Sequence, residues 1–449
     1  MKKIKVKNTY NLNLVGKPIQ DIDFLENSEM FIINPNRIKN FKAKLVVKEN
    51  ESVSIGSLLL IDKKQPHLKF LSPVSGVIKE IVYGHRRVIE KIVIQKDKNE
   101  KTEQLFDPTD LSQLEKLNRE DVVNRLVDGG LWNLITQYPF EVAPKQDDIA
   151  PSIYVTVDYD EPFMPESEVF LKESYEDFLF GLEVVKKLSD KVNVGVSSTN
   201  AFDKDKLDSI TTHKLEGQYP ANNPGIFLYH NKTSQEENSS WGIRSLDVIR
   251  MGQLFKSGTY PIERLIVLAG SHAKKPRYIK TREAVSLKFL SNEISNEDPI
   301  RVIAGGVLTG DKVNFDYGLG YKDYAINLIR EGQERELLTF FRGGYDKPTF
   351  GNTYLSAINK KQKFTMTSSI NGGYRACISC GVCAKVCQVD SAPQMIMKSL
   401  NVDDIETAVK YGLLDIVDTG LYTYVCPSKI ELDEIFRSAK TKLYKEATA

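Results

Sequence analysis

Ile153-Tyr154-Val155-Thr156-Val157 is an apolar run closed by Asp158, followed by a helical stripe with apolar residues at 178, 179, 182, 184, 185 and 188. Val192–Val196 then repeats the short apolar run. A run this short without alternation reads as a strand covered on both faces. Strand, helix, strand in that order needs a crossover, which predicts a parallel α/β layer over residues 113–255. Upstream, Leu114–Leu126 carries a helical pattern, and Asp128-Gly129-Gly130-Leu131-Trp132 opens a turn and a further helix.

On the N-terminal side of this layer the period is that of β structure. Phe41–Val47 alternates, and Ser57–Ile61, Lys69–Leu71, Val77–Val82 and Val88–Ile94 follow between turn signals at Pro66, Ser72-Pro73, Ser75-Gly76 and Gly84. A small barrel or sandwich is predicted for residues 1–98. The polar, unpatterned stretch 95–112 reads as a linker. On the C-terminal side, Leu265–Ala269 and Arg301–Ala304, each closed by glycine, predict a more β-rich unit over 256–335. Residues 336–449 are mostly helical in pattern.

The chain has 449 residues, which at about 150 per domain gives about three domains. Lys+Arg is 61 against 60 Asp+Glu, a net charge of +1, and this removes the usual electrostatic case for nucleic acid as the main partner, a local basic patch aside. No stretch approaches the ~18 apolar residues of a membrane span. Met1-Lys2-Lys3-Ile4-Lys5-Val6-Lys7 lacks the apolar core of a signal peptide. The expectation is a soluble protein on the cytoplasmic side, with peripheral membrane contact only.

All five cysteines lie between Cys377 and Cys426. Cys377-x2-Cys380-x2-Cys383-x3-Cys387 is the spacing that wraps a [4Fe–4S] cube, with the fourth ligand supplied by a distant cysteine followed by proline. Cys426-Pro427 fits that description. Counting back from Cys426 by the same intervals reaches Tyr422, Thr419 and Ile416, with Gly420 standing where Gly381 stands in the first run. The pattern is that of a two-cluster module that has lost one cluster. One [4Fe–4S] cluster is expected on Cys377, Cys380, Cys383 and Cys426, with Cys387 as the alternative ligand. Structural zinc on four thiolates and an empty, vestigial site are the competing readings.

Several blocks in order along the chain resemble one family. They are Phe70–Gly76 with Gly84-His85-Arg86-Arg87, Glu176-Asp177-Phe178 with Gly181-Leu182, Val267–Gly270, Val307–Gly310, Arg330-Glu331-Gly332 with Arg335-Glu336-Leu337, and Tyr424–Pro427. The sequence resembles the NqrA family, the A subunits of the sodium-translocating NADH:quinone reductase, which is related to the C subunit of the Rnf complex. Best-known members lack the Cys377–Cys387 run, and Rnf-type relatives carry two complete runs. The resemblance implies a multidomain α/β and α+β fold. Its parts are a biotinyl-carrier-like β module (1–98), a Rossmann-like domain (113–255), a β-grasp, SLBB-like domain (256–335) and a helical, ferredoxin-like C-terminal domain (336–449). It further implies a peripheral subunit of a membrane respiratory complex on the cytoplasmic side of the bacterial inner membrane. That complex passes electrons from NADH to ubiquinone and exports Na+, and this subunit is associated with the quinone-reduction step. The partners implied are the other subunits of the reductase and the quinone. The alternatives are a docking subunit without redox function, or an Rnf-like ferredoxin:NAD oxidoreductase subunit.

Other motifs point away from chemistry. No G-x-G-x-x-G follows a strand, so neither flavin nor NAD is expected in this subunit, and the isolated chain is expected to lack NADH oxidation. No lysine occupies the Val74-Ser75-Gly76 turn to be biotinylated. His213, His230 and His272 lack ligand spacing and read as structural, while His85-Arg86-Arg87 reads as a solvated turn. No catalytic acid, base or nucleophile is singled out.

Overall fold

The computed structural model describes residues 1–25, 28–38, 40–295, 299–332, 343–346, 350, 354–359, 362–368 and 376–448. Four sheets organise the described residues. The largest α/β sheet runs, in spatial order, Lys2–Lys5, His213–Glu216, Val192–Ser197, Ile153–Thr156, Trp241–Arg244 and Thr136–Gln137. Its first five strands are parallel and the last is antiparallel. Ile153–Thr156 sits inside it, buried at every residue, which explains why its sequence shows no alternation.

The helix predicted over Phe178–Leu188 spans Ser167–Lys186. Its first turn buries Val169, Phe170 and Leu171, but the exposed turn that follows breaks the stripe, and Ser174 leaves helical geometry there (φ −123°, ψ 21°). This helix packs directly on Ser245–Ser257. A methyl group on Gly181 would come within 2.0 Å of the Val248 carbonyl oxygen, and one on Gly252 within 2.1 Å of that of Asp177. Glycine at both positions lets the two backbones touch.

The pattern at Leu114–Leu126 resolves into two helices, Leu111–Lys116 and Arg119–Asp128. Asp110 and Asn118 each close a reciprocal capping box, and the second one starts a new helix where periodicity alone ran on. The stretch read as a linker is strapped down. The Leu105 and Thr109 amides donate to the Gly258 and Phe255 carbonyls at 2.9 Å, and Phe106 packs between Arg125 and Phe255. Polarity concealed this, because main-chain bonds leave no side-chain pattern.

The β module is two short sheets. Met30–Ile33, Ile89–Lys96, Gly76–Tyr83 and Ser52–Val53 form one, and Ala43–Leu45, Leu58–Asp62 and Lys69–Leu71 the other. Leu59, Leu60, Val74, Ile78, Ile92 and Ile94 are buried in the core they share with the next domain. That domain's mixed sheet runs Asp311–Val313, Ile300–Ala304, Ala325–Arg330, Glu263–Ala269, Arg277–Arg282 and Ile22–Phe24. The N-terminal strands therefore serve other sheets. Lys2–Lys5 edges the α/β sheet, and Ile22–Phe24 edges the mixed one. Among the described residues no helix is long and apolar enough to cross a membrane. The Arg335-Glu336-Leu337 block lies outside the described residues.

Glu331 anchors the end of the mixed sheet. Burial works against its charge, but hydrogen bonds from Arg301, Lys312 and Ser368 outweigh burial and hold the carboxyl at about 2. Its folded value lies below the ordinary one, so its stabilisation is complete above the usual glutamate range and is lost as pH falls from there toward 2. Acid titration of unfolding is expected to show a shallower loss of stability in Glu331→Gln than in the unaltered chain between these limits.

Candidate metal centre

The cysteine run folds as a hook. Ser379 (φ 58°) and Gly381 (φ 70°) turn the chain through the left-handed region, and the single helical turn Val382–Lys385 follows. Such dihedrals reverse the backbone within a few residues, so cysteines three apart end on one side of the turn. The second half echoes the first. Gly420 (φ 68°) precedes the turn Leu421–Val425, which delivers Cys426 and Pro427. Asp433 holds this second turn, accepting the Gly420 amide at 3.0 Å and the Thr423 amide at 2.7 Å.

Cys377, Cys380, Cys383 and Cys426 line one cavity, floored by Met397, Ile430 and Leu432. The Ser379 amide donates to Cys377 Sγ at 3.4 Å, and the Ile430 amide to Cys426 Sγ at 3.5 Å. Amides aimed at sulfur stabilise the thiolate form. Burial pushes the Cys383 thiol up to about 11, and the neighbouring Cys380 and Cys426 sulfurs push it the same way. Among the described residues, no three His, Cys, Asp or Glu side chains are gathered closely enough to hold a single metal ion. The four thiols line one cavity, but the expected [4Fe–4S] cluster finds no ready-assembled ligand group among the described residues.

Cys387 stands apart. It is buried, its Sγ donates to the Val389 carbonyl at 3.0 Å, and the Tyr422 hydroxyl donates to Cys387 Sγ at 3.5 Å. Ile416, Thr419 and Tyr422, the three positions reached by counting back from Cys426, are all buried with it. The counterpart of the first cavity is thus packed with side chains, and the Tyr422 ring meets Phe436 edge-on at 5.7 Å. The chain's own start closes the module, since Asn8 Nδ2 donates to the Cys387 carbonyl at 2.7 Å and Gln388 Nε2 to the Asn8 carbonyl at 3.0 Å. Neither the amide donors nor the apolar floor has a spacing signal in sequence. They are set by the tertiary fold.

The remaining candidates fall elsewhere. Trp132 packs edge-on against Trp241 at 5.5 Å and donates Nε1–H to the Pro144 carbonyl, so the Asp128–Trp132 turn is filled by its own tryptophan. His213 lies on the Phe227 ring, and His230 Nε2 is 2.9 Å from the Gln388 carbonyl oxygen, while His272 is buried beside Ser271. His85, Arg86 and Arg87 are exposed on a short turn.

A further anion seat has no signal in the sequence. Glu161, past the carboxyl end of Ile153–Thr156, accepts the Leu308 amide at 2.7 Å, the Thr309 amide at 3.0 Å and the Thr309 hydroxyl at 2.7 Å. The loop Gly305-Gly306-Val307-Leu308-Thr309-Gly310 wraps the carboxylate, and any Cβ on Gly306 would strike it. The α/β layer is pinned to the mixed sheet at this point.

Three family models match in the order of these units. They are the NqrA N-terminal barrel-sandwich hybrid domain over residues 4–97, the NqrA second alpha/beta domain over 117–260, and the NQRA C-terminal domain over 265–314. A protein of Marinomonas sp. (strain MWYL1) is 31% identical over 447 residues, covering 98% of this chain and 99% of its own length. One from Hahella chejuensis is 33% identical, covering 99% of this chain and all of its own length. Each is the A subunit of a Na(+)-translocating NADH-quinone reductase. The chain belongs to the NqrA family.

Membership accounts for the barrel-sandwich start, the α/β layer and the SLBB-type unit as one ordered set. The cysteine segment lies beyond all three NqrA matches. Among solved structures, an NAD+-reducing [NiFe]-hydrogenase in the air-oxidized state aligns over 52% of each chain at 11% identity and a TM-score of 0.33, a likeness too slight to bear on the fold.

Proposed function

We propose that this chain is a peripheral subunit on the cytoplasmic side of a bacterial membrane complex that carries electrons from NADH to ubiquinone and exports Na+. It stands at the quinone-reduction step and holds one [4Fe–4S] cluster. The role in the complex rests on full-length relatives that are the A subunit of a Na(+)-translocating NADH-quinone reductase. The other subunits are then its partners, and NADH oxidation takes place outside it.

The observation that carries the cluster reading is the shared cavity of Cys377, Cys380, Cys383 and Cys426, from which Cys387 is absent. When bound, the cluster supplies one-electron storage and transfer. The chain's part is to hold four thiolates, aim two amides at sulfur and shield the inner face with Met397, Ile430 and Leu432. Four thiolates also suit zinc, and the metal content of the purified chain separates the two readings. An Rnf-like pair of clusters is disfavoured by Tyr422 and Ile416, which fill the second site. The β module, α/β domain, β-grasp unit and ferredoxin-like helical domain are the corresponding parts of the fold.

The test is iron analysis with EPR on anaerobically purified full-length chain. About four irons and a reducible signal are expected. Cys387→Ser should retain both, because its sulfur bonds to Val389 and Tyr422 instead of facing the cavity. Iron-free, folded protein would leave only the docking role.

A further inference from the structure

We infer that the outer rim of the cysteine cavity, formed by Ile378, Ser379, Cys380 and Pro427, is the face on which an electron-exchanging protein partner docks, and that this partner presents an acidic surface there. The inference rests on the proposed cluster and adds the side of the cavity at which electrons are exchanged and the charge of the partner.

The inner side of the cavity offers no onward step within the module. The packed second site begins there, with Tyr422 against Cys387 and Thr419 and Ile416 buried beside them. The outer side is thin. Cys380 and Ser379 are exposed, and Ile378 at the tip of the hook is 66% exposed. A Cβ built on Gly381 would meet no atom within 4 Å, so another surface can approach the hook to contact.

The rim also has the make-up of a transient interface, with an apolar centre and a charged border. Ile378 and Pro427 are its exposed apolar residues, with Met395 nearby on Pro393–Leu400. Lys398 reaches the hook, its Nζ donating to Ser379 Oγ at 3.3 Å, and Lys385 is exposed in the turn that carries Cys383. The exposed carboxylate adjoining the cavity wall is Glu431, between Ile430 and Leu432. Two ammonium groups against one carboxylate make the rim basic, and opposite charge steers encounter.

The test uses the full-length, cluster-loaded chain, with iron content measured first. The reduced chain is oxidised in a stopped-flow instrument by ferricyanide, an anion, or by hexaamminecobalt(III), a cation, each of which takes one electron from the reduced cluster. Lys385→Glu/Lys398→Glu should slow ferricyanide about tenfold and speed the cobalt complex, while Lys204→Glu, on the distant α/β layer, changes neither. In the purified complex, a photocrosslinking residue at position 378 should attach to a subunit that carries a redox cofactor. Iron below one atom per chain would overturn the cluster reading and this inference with it. Full iron with charge-insensitive rates, or no adduct to any subunit, would overturn this inference alone.

Discussion

Cys383→Ser is expected to bring iron from about four atoms per chain to below one and to abolish the reducible EPR signal, with the fold unchanged. Cys383 is half-buried in the cavity, and its thiol is already pushed up to about 11 by burial. Cluster binding must remove that proton, and the gain from ligation drives it. Serine is a weaker ligand and keeps its proton more firmly, so one of the four ligands that would hold the cluster is lost. The turn itself rests on Gly381 and main-chain bonds, which the substitution leaves alone. Far-UV circular dichroism should therefore match that of the unaltered chain. Retention of full iron by this variant would refute the ligand set.

Glu283→Ala is expected to cost about 3–5 kcal/mol in stability. Glu283 is buried at the junction of the α/β layer and the mixed sheet. Its carboxylate accepts Arg250 Nη2 at 3.1 Å, the Tyr260 hydroxyl at 3.1 Å and a further bond from Arg264. Both guanidiniums are themselves almost wholly enclosed. Without the carboxylate, Arg250 and Arg264 lose their shared counter-ion in a low-dielectric core, and Asp247 is left as the buried acid acting on Arg250. The melting temperature should fall by roughly 10 °C. Removal of the exposed pair Lys186–Glu183 should change stability by under about 1 kcal/mol, and this gives the internal comparison. A Glu283→Ala chain melting with the parent would show that the guanidiniums find other partners.

Features that depend on near neighbours in the chain were legible in the sequence. Lys69–Leu71 is a strand with the limits read from its residues, and Ile153–Thr156 and Val192–Ser197 differ by one residue each. The cysteine hook and its echo follow from fixed spacing, and the structure repeats the echo in the matching dihedrals of Gly381 and Gly420. Features set by distant partners were not legible. The amide donors to sulfur, the Met397 floor and the seat of Glu161 between two domains have no local signature. The first half of the long helix was hidden because six successive residues, Lys172–Asp177, face outward or only half inward. Periodicity reports burial, and it falls silent where a helix passes over solvent.

The pairing of the first strand bears on biosynthesis. Lys2–Lys5 is translated well before the strand it hydrogen-bonds, His213–Glu216. Ile22–Phe24 waits for Arg277–Arg282, and Asn8 waits for Cys387. These early segments therefore have no native partners until His213–Glu216, Arg277–Arg282 and Cys387 have been made, so their docking is a long-range and late step of folding. A tag or truncation at that end would disturb the closing of the C-terminal module before it touched the β module that follows it in the gene.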